Sequence, residues 1–231
     1  MMSLKWIEGV TMEKVFVSPM TYRQGENVLW DHLRDILAFG KKGLLVTDQF
    51  VYEMIGKRLV DELTSLGGQI SVRFAEENST IDEFDYVIAI GGGRAIDIGK
   101  ALAFKSSRRC IVVPTSASTD APTSRISVKY QNGYFEKYTY YTQSPDLVLV
   151  DTAILINSPI HFLTAGIADG LSTFIEAWTV RENFGKNTLG AAPTLAAEAI
   201  AEKCRDVLLK NAEAAVEANK RKEITVEFDA V

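Results

Sequence analysis

Three consecutive glycines, Gly91-Gly92-Gly93, and the Arg94 that follows them lie where an apolar run passes into a helical pattern. A glycine-rich turn between a buried strand and a helix leaves no Cβ atom to keep a phosphate away from backbone N–H groups and from the positive end of the helix. A tight turn that needs positive φ would use the same residues, and the triplet alone favours neither interpretation. Asp97 and Lys100 come next; an aspartate here interacts favourably with the helix dipole, and simple capping would explain it equally well.

Two more polar groups follow apolar runs of strand length. Asp48 comes directly after residues 44–47, at a strand end of the kind where open α/β sheets bind ligands. Its carboxylate can accept hydrogen bonds from ribose hydroxyls, although aspartate is also a common helix cap. Residues 114–124 follow another such run and surround Asp120 with small hydroxyl side chains. Because binding residues concentrate on loops at strand ends, we expect this segment to line a ligand site rather than to be an ordinary polar loop.

A further carboxylate, Asp169, falls within a helical stripe of apolar residues, and Glu176 follows two turns later. A carboxylate on a helix that packs must be satisfied by a partner or by a metal ion. Hydrogen bonding to backbone is the commoner outcome, so Asp169 alone is a weak indication of a metal site. We interpret His32 and His161 as structural residues.

The elements that must position these residues alternate between strands and helices. Apolar runs predict strands at residues 15–17, 44–47, 70–74, 86–90, 110–113 and 147–150. Helical stripes lie between them at residues 29–37, 51–66 and 95–104. This alternation predicts an α/β fold with a Rossmann-like parallel sheet.

Two other patterns complete the predicted architecture. Residues 126–130 and 135–141 flank Asn132-Gly133, a strong β-hairpin signal. From Ser158 the pattern is helical, with apolar residues at four-residue spacing and two further helical stretches over residues 193–209 and on to residue 219. We therefore expect a cofactor domain over residues 1–157, followed by the beginning of an all-helical domain over residues 158–231.

Composition limits the possible functions. The chain has 231 residues, 47% of them hydrophobic, which suits one large domain or two small ones. A net charge of -5 and a pI near 5.2 argue against nucleic acid and anionic membranes as partners. The sequence shows neither a signal peptide nor a membrane-spanning run, so we expect a cytoplasmic protein. Cys110 and Cys204 are too few for a disulfide scaffold and are expected to be buried, reduced thiols.

The residues above also occur in recognisable motifs. These are Gly91-Gly92-Gly93-Arg94-Ala95-Ile96-Asp97, Ser118-Thr119-Asp120-Ala121-Pro122, Pro145-Asp146-Leu147-Val148-Leu149-Val150-Asp151-Thr152 and Ala165-Gly166-Ile167-Ala168-Asp169. With them, nearly the whole chain after Met12 resembles the glycerol dehydrogenases of the iron-type alcohol dehydrogenase superfamily.

The resemblance implies an NAD-dependent oxidation of glycerol to dihydroxyacetone, with a zinc ion that lowers the pKa of the bound alcohol. By matching position, Asp120 contacts the polyol and Asp169 binds the metal. With Gly92 and Asp97 added from the glycine motif, the residues expected to contact NAD are Asp48, Gly92, Gly93, Arg94, Asp97, Thr115, Ser118, Ser124, Ile126 and Tyr130.

Three departures from that family qualify the expectation. The family completes its metal site with histidines from helices downstream of the segment matching residues 193–204, and this sequence supplies none there. Since catalytic zinc normally needs three protein ligands, we expect a C-terminally truncated, inactive chain that binds NAD weakly. The link at residues 75–85 is shorter than the family's crossover helix. Arg94 replaces the family's lysine, which keeps the charge and changes the donor geometry.

Other functions therefore remain open. The chain could be a non-catalytic dinucleotide-binding or assembly protein, or a dehydrogenase of another polyol or of glycerol phosphate. The acidic balance and Asp120 argue against a phosphorylated substrate. A helical domain that ends abruptly should expose apolar surface, so we expect a homo-oligomer.

Overall fold

A computed structural model describes residues 13–75, 83–131 and 134–231. Within these residues, six strands form one parallel sheet: β1 Thr21–Gly25, β2 Lys42–Thr47, β3 Gln69–Phe74, β4 Tyr86–Gly91, β5 Arg109–Pro114 and β8 Leu147–Asp151. Their order across the sheet is β1-β8-β5-β4-β2-β3. An antiparallel hairpin, β6 Ile126–Gln131 and β7 Tyr134–Tyr140, stands apart from this sheet.

Helices follow most of the strands. Those of the sheet region are α1 Val28–Asp31, α2 Leu33–Leu37, α3 Gln49–Val51, α4 Lys57–Ser65, α5 Gly93–Lys105 and α6 Thr152–Leu155, with a π-helical turn at Tyr52–Gly56 between α3 and α4. The region after residue 158 contains α7 Ile160–Glu182, α8 Leu195–Arg221 and α9 Val226–Ala230. The structure thus has the predicted α/β architecture, a parallel sheet followed by helices. Among the residues described, no helix is both long enough and apolar enough to cross a membrane.

The central strands are buried on both faces because successive side chains point to opposite sides of a sheet. On one face, Leu45, Ile88 and Ile111 pack against α1, α2 and α4. On the other face, Val87 and Val112 pack against α5 through Ile96. This two-sided core holds the carboxyl ends of β2, β4 and β5 side by side at one edge of the sheet, where the polar motifs follow.

A third core joins the helical region to the sheet. Leu155, Leu163 and Phe228 pack together there, so α6, α7 and α9 share one apolar cluster. The buried Asn219 near the end of α8 donates from Nδ2 to the carbonyl oxygen of Ile156 at 3.0 Å. These contacts fix α7 close to the edge of the sheet that carries the polar motifs.

Three predicted elements were wrong. Residues 15–17 form no strand, and the first strand of the sheet is β1, whose alternating half-buried and exposed side chains suit an edge position beside β8. The helix expected over residues 29–37 is interrupted at His32, whose φ of -116° separates α1 from α2. The two stretches expected after residue 193 are the single helix α8, because neither glycine nor proline interrupts it.

Two packing predictions also needed correction. Along α7, Leu163 is buried, but Ile175 at the far end of the expected apolar stripe is 61% exposed. Cys110 is buried as expected, and Cys204 is only partly buried because it lies on the surface helix α8.

The structure describes only part of the segment between β3 and β4 and only part of the hairpin. Both β3 and β4 pair with β2, so these two strands are not neighbours in the sheet, whereas the interpretation of residues 75–85 as a compressed link assumed that they were. Residues 76–82 of this link and Asn132-Gly133 of the hairpin turn lie outside the described residues. The hairpin strands themselves pair as predicted.

Candidate functional site

The glycine turn lies at the carboxyl edge of the sheet, between β4 and α5. Gly91 has a φ of 146°, which L side chains rarely adopt, and a Cβ atom there would lie 2.9 Å from the Ala95 Cβ. Gly92 is the N-terminal cap residue of α5 and makes no side-chain capping bond. The first N–H groups of this 13-residue helix therefore have no side-chain cap, the arrangement that binds phosphate oxygens.

Asp48 lies beside this turn because β2 and β4 are neighbouring parallel strands. Its Oδ1 accepts a hydrogen bond from the Val51 N–H at 2.8 Å and caps α3. Its Oδ2 lies 3.7 Å from the position that a Gly91 Cβ would occupy. One carboxylate oxygen of Asp48 therefore caps a helix, and the other lies near the glycine turn. The contact of Asp48 with a ribose stays a prediction.

The loop between β5 and β6 covers the glycine turn from the other side. It starts at the buried Thr115, whose N–H donates to the Gly91 carbonyl oxygen at 3.0 Å. The Ser116 and Ser118 hydroxyls lie 3.2 Å apart. Further along, the N–H of Ser124 donates to the Asp120 carbonyl oxygen at 3.2 Å, which closes a turn at Asp120. The predicted ligand loop is thus a folded element packed on the start of α5.

Helix α5 is bonded to this loop through two charged residues. Asp97 Oδ2 accepts from the Val128 N–H at 2.9 Å, and its Oδ1 pairs with Lys100 Nζ at 3.0 Å. Lys100 is fully buried and also donates to the Ala121 carbonyl oxygen at 2.8 Å. Both carboxylate oxygens of Asp97 therefore contact protein groups, and its predicted contact with a cofactor stays a prediction.

Helix α7 brings the second carboxylate to the loop. A Cβ atom on Gly166 would lie 2.0 Å from the Ala117 carbonyl oxygen, so only glycine allows the helix to pack this closely on the loop. Asp169 lies one turn further along α7 and interacts electrostatically with Asp120. Desolvation by the surrounding protein raises the pKa of Asp120 above its ordinary value, the Asp169 carboxylate raises it further, and Lys100 opposes both.

These elements enclose a cleft of roughly 1370 Å³. Several residues predicted from the sequence line it: Gly93, Arg94, Asp97, Ser118, Asp120, Ser124, Ile126 and Asp169. Gly92 and Asp48 adjoin it at the glycine turn, and Thr115 is buried behind it. Tyr130 lies on β6, and its side chain is outside the description.

Other lining residues were not among the predicted site residues, although Glu176 had been noted beside Asp169. On α7, the polar residues Ser172, Thr173 and Glu176 face the cleft together with Asp169. Their spacing of three, four and seven residues after Asp169 is the signal that could have identified a polar helix face. Arg73 and Ala75 at the end of β3 and Tyr138 and Tyr140 of the hairpin also line the cleft, and only the fold brings them there.

The cleft fits a dinucleotide better than it fits a metal ion. Glycine positions leave the start of α5 open to a phosphate, and Asp48 offers an acceptor to a ribose beside it. Within residues 13–75, 83–131 and 134–231, no group of three or more metal-binding side chains comes together. Asp169 and Asp120 alone do not provide the three protein ligands that a catalytic zinc requires.

Comparisons with known proteins identify the family of this chain. The family model described as iron-containing alcohol dehydrogenase matches residues 29–159. The chain is 40% identical to a glycolaldehyde reductase of Halobacterium salinarum over 95% of its own length and 64% of that protein. It is 33% identical to a glycerol dehydrogenase of Thermotoga maritima over 93% of its length and 62% of that protein.

A solved structure gives the same result for the fold. The crystal structure of glycerol dehydrogenase from Schizosaccharomyces pombe superposes with a TM-score of 0.86 at 31% identity, covering 95% of this chain and 59% of that one. The chain therefore spans less than two thirds of the length of each of these relatives. The matched segment includes the glycine turn and the whole loop that carries Asp120, and we conclude that this chain belongs to the iron-containing alcohol dehydrogenase family.

Proposed function

We propose that the chain binds NAD and belongs to an enzyme that oxidises glycerol to dihydroxyacetone. The observation that carries this proposal is the position of two carboxylates, Asp120 and Asp169, in the cleft that opens at the uncapped start of α5. A dinucleotide phosphate on that helix would direct the rest of the cofactor along the cleft. The relatives named glycerol dehydrogenase support the choice of substrate.

Each residue has a role in this proposal. Residues 1–157 form the cofactor domain, in which Gly92, Gly93 and Arg94 bind the diphosphate and Asp48 accepts from ribose hydroxyls. The remaining contacts to NAD come from Thr115, Ser118, Ser124, Ile126 and Tyr130. NAD supplies the hydride acceptor when it is bound.

The carboxylates would act on the substrate. Asp120 accepts hydrogen bonds from polyol hydroxyls and so orients the carbon that loses hydride. Asp169, on the helical region of residues 158–231, is one ligand of a divalent metal, which we propose to be zinc. Because the described residues supply fewer ligands than catalytic zinc requires, we propose that the 231-residue chain binds NAD without oxidising glycerol.

A second candidate substrate is glycolaldehyde. The relative at 40% identity is a glycolaldehyde reductase, and an aldehyde with one neighbouring hydroxyl offers Asp120 the same kind of donor that glycerol does. In that case the enzyme would use NADH and work in the reductive direction. The non-catalytic alternative, a dinucleotide-binding protein, predicts cofactor binding with neither substrate.

Cofactor binding can be tested at Gly92, which has a φ of -80° that any residue adopts. A Cβ atom there would have the Ser116 hydroxyl oxygen as its nearest neighbour, at 3.8 Å, so a larger side chain fits the folded protein. The same side chain would occupy the space that a phosphate needs. We expect NADH to bind the unaltered chain in a fluorescence titration, with Kd raised in Gly92→Ala and raised at least about tenfold in Gly92→Val. Equal binding by all three proteins would refute the site.

Substrate choice needs a separate assay. Glycerol with NAD⁺ and glycolaldehyde with NADH are each measured with and without added zinc. Zinc-dependent oxidation of glycerol by the 231-residue chain would contradict the proposed inactivity of this chain. Turnover of glycolaldehyde alone would favour the second candidate.

A further inference from the structure

Lys100 is a fully buried lysine that the proposed reaction does not use. Lysine is almost never fully buried unless its charge is paired. Here the pairing is with Asp97 Oδ1, 3.0 Å away and one helical turn earlier on α5. The ammonium also donates to backbone carbonyl oxygens of the loop, to Ala121 at 2.8 Å and to Ile126.

An ammonium has three N–H donors, and here it donates hydrogen bonds to the carbonyl oxygens of Ala121 and Ile126 and, at 3.4 Å, to the carbonyl and hydroxyl oxygens of Ser124. Asp97 Oδ1, 3.0 Å away, is an ion-pair partner without hydrogen-bond geometry. With no solvent exposure and every proton engaged, Lys100 has none left for a substrate. Lys100 is therefore bonded to the loop and does not contact the substrate.

These bonds connect residues on either side of the loop's last turn to the same helix that begins at the glycine turn. Asp97 adds to the connection, because its backbone oxygen accepts from the Ser127 hydroxyl at 3.0 Å and its Oδ2 accepts from the Val128 N–H. The loop from Asp120 to Ile126 is thus bonded to the interior of α5, one to two turns from the residues that would bind a phosphate. A shift of this loop relative to α5 would break several charged hydrogen bonds at once.

We propose that Lys100 is a positioning residue: it holds the loop of residues 120–126 at a fixed distance from the start of α5. Asp120, Ser124 and Ile126 thereby face the cleft at positions from which they can contact a bound dinucleotide. The consequence for cofactor binding rests on the proposed function, whereas the consequence for the loop does not.

The experiment compares Lys100→Met and Lys100→Gln with Lys105→Met, which changes an exposed lysine at the end of the same helix. Methionine fills the space without donors, and glutamine restores two of them. Amide hydrogen exchange is followed across the chain, and NADH affinity is measured by fluorescence.

We expect the amides of Thr123 and Ser124, which bond to the Asp120 carbonyl oxygen, to exchange at least about tenfold faster in Lys100→Met, with β2 and β4 unchanged. Lys100→Gln should recover part of the protection, and Lys105→Met should behave like the unaltered chain. Kd for NADH should rise with the exchange rate. If Lys100→Met does not fold, Lys100→Gln is tested in the same way: its loop amides should exchange faster than those of the unaltered chain, with β2 and β4 unchanged.

Unchanged exchange in the loop, or a uniform acceleration across the whole chain, would overturn the proposal, since the latter is what a merely structural lysine produces. Failure of NADH to bind the unaltered chain would instead contradict the proposed function, and the exchange data would still decide the role of Lys100.

Discussion

The two ends of the cleft are built in different ways. One end, called the phosphate end because we propose that it binds phosphate, is contiguous in sequence: β4, the glycine turn and α5 follow one another, and both strand and helix are anchored in the two-sided core. The carboxylate end combines Asp120 on a loop with Asp169 on α7, and these meet because Gly166 lets the helix pack on the loop. The first end should therefore tolerate changes elsewhere in the chain, while the second depends on one close contact between distant segments.

The largest effect is expected at that contact. In Gly166→Ala the new methyl group would meet backbone atoms of Ala117, which cannot move aside, so we expect a loss of about 1–3 kcal/mol in the free energy of unfolding. The matched control is Gly170→Ala on the same helix. Its methyl would meet the flexible end of Leu208 at 2.7 Å, and alanine's helix propensity, about 1 kcal/mol better than that of glycine, offsets the crowding.

Urea denaturation measures the change in the free energy of unfolding for each of the two variants. Gly166→Ala should lose only part of its NADH affinity, because the start of α5 is not involved in the contact, whereas Ser118, a proposed NAD contact, lies next to Ala117. Equal destabilisation by the two substitutions would show that Gly166 is not the specific link between α7 and the loop.

A smaller effect is expected at Asp48, which belongs to the phosphate end. Asparagine caps helices as well as aspartate does, so Asp48→Asn should keep the bond to the Val51 N–H and the melting temperature. It replaces the other carboxylate oxygen, which we propose accepts from ribose hydroxyls, by an amide NH2 group that cannot accept, and Kd for NADH should rise about two- to fivefold. Asp61→Asn, an exposed change of the same charge on α4, is the control. A fall in stability without a change in Kd would make Asp48 a cap and nothing more.

The smallest effect concerns the thiols, which lie in the core and on α8. Burial raises the pKa of Cys110 from 9.0 to about 12, and burial also raises that of the less buried Cys204. The thiolate is the nucleophile, so iodoacetamide at pH 8 should alkylate Cys204 slowly and Cys110 only after unfolding. Because the unfolded thiol ionises first, the contribution of Cys110 to stability should decrease as pH rises from about 9 towards about 12. Equal labelling of both cysteines in the folded chain would contradict this packing.

Much of the sheet could be predicted from the sequence, and the reason is local. Uninterrupted apolar runs such as residues 86–90 correspond to strands buried on both faces, and in that case a glycine turn follows the strand. The same rule failed for β1, because this edge strand has exposed side chains at alternate positions and no apolar run. It also gave a strand at residues 15–17, where three apolar or β-branched side chains do not pair.

The candidate site was predictable from the residue pattern mainly where its residues follow strands, whereas Asp169 as a site residue was expected from the family resemblance. The glycine turn and the loop around Asp120 each follow a strand, so their shared edge could be inferred from the order of elements. The role of Gly166 could not, because it depends on the Ala117 carbonyl oxygen, about fifty residues away in sequence. Lys100 resembled an ordinary helix residue, since its loop acceptors are backbone atoms that carry no sequence signal.

Binding of the cofactor phosphates at the start of α5 can be followed through backbone amide resonances during titration with NAD⁺. We predict that the N–H signals of Gly92, Gly93 and Arg94 shift most, because their N–H groups would hydrogen-bond to the diphosphate. The start of α8, which Thr194 caps with its side chain, should not respond. Saturable shifts confined to other helix starts, with the signals of these three residues unchanged, would show that the start of α5 does not bind the phosphates.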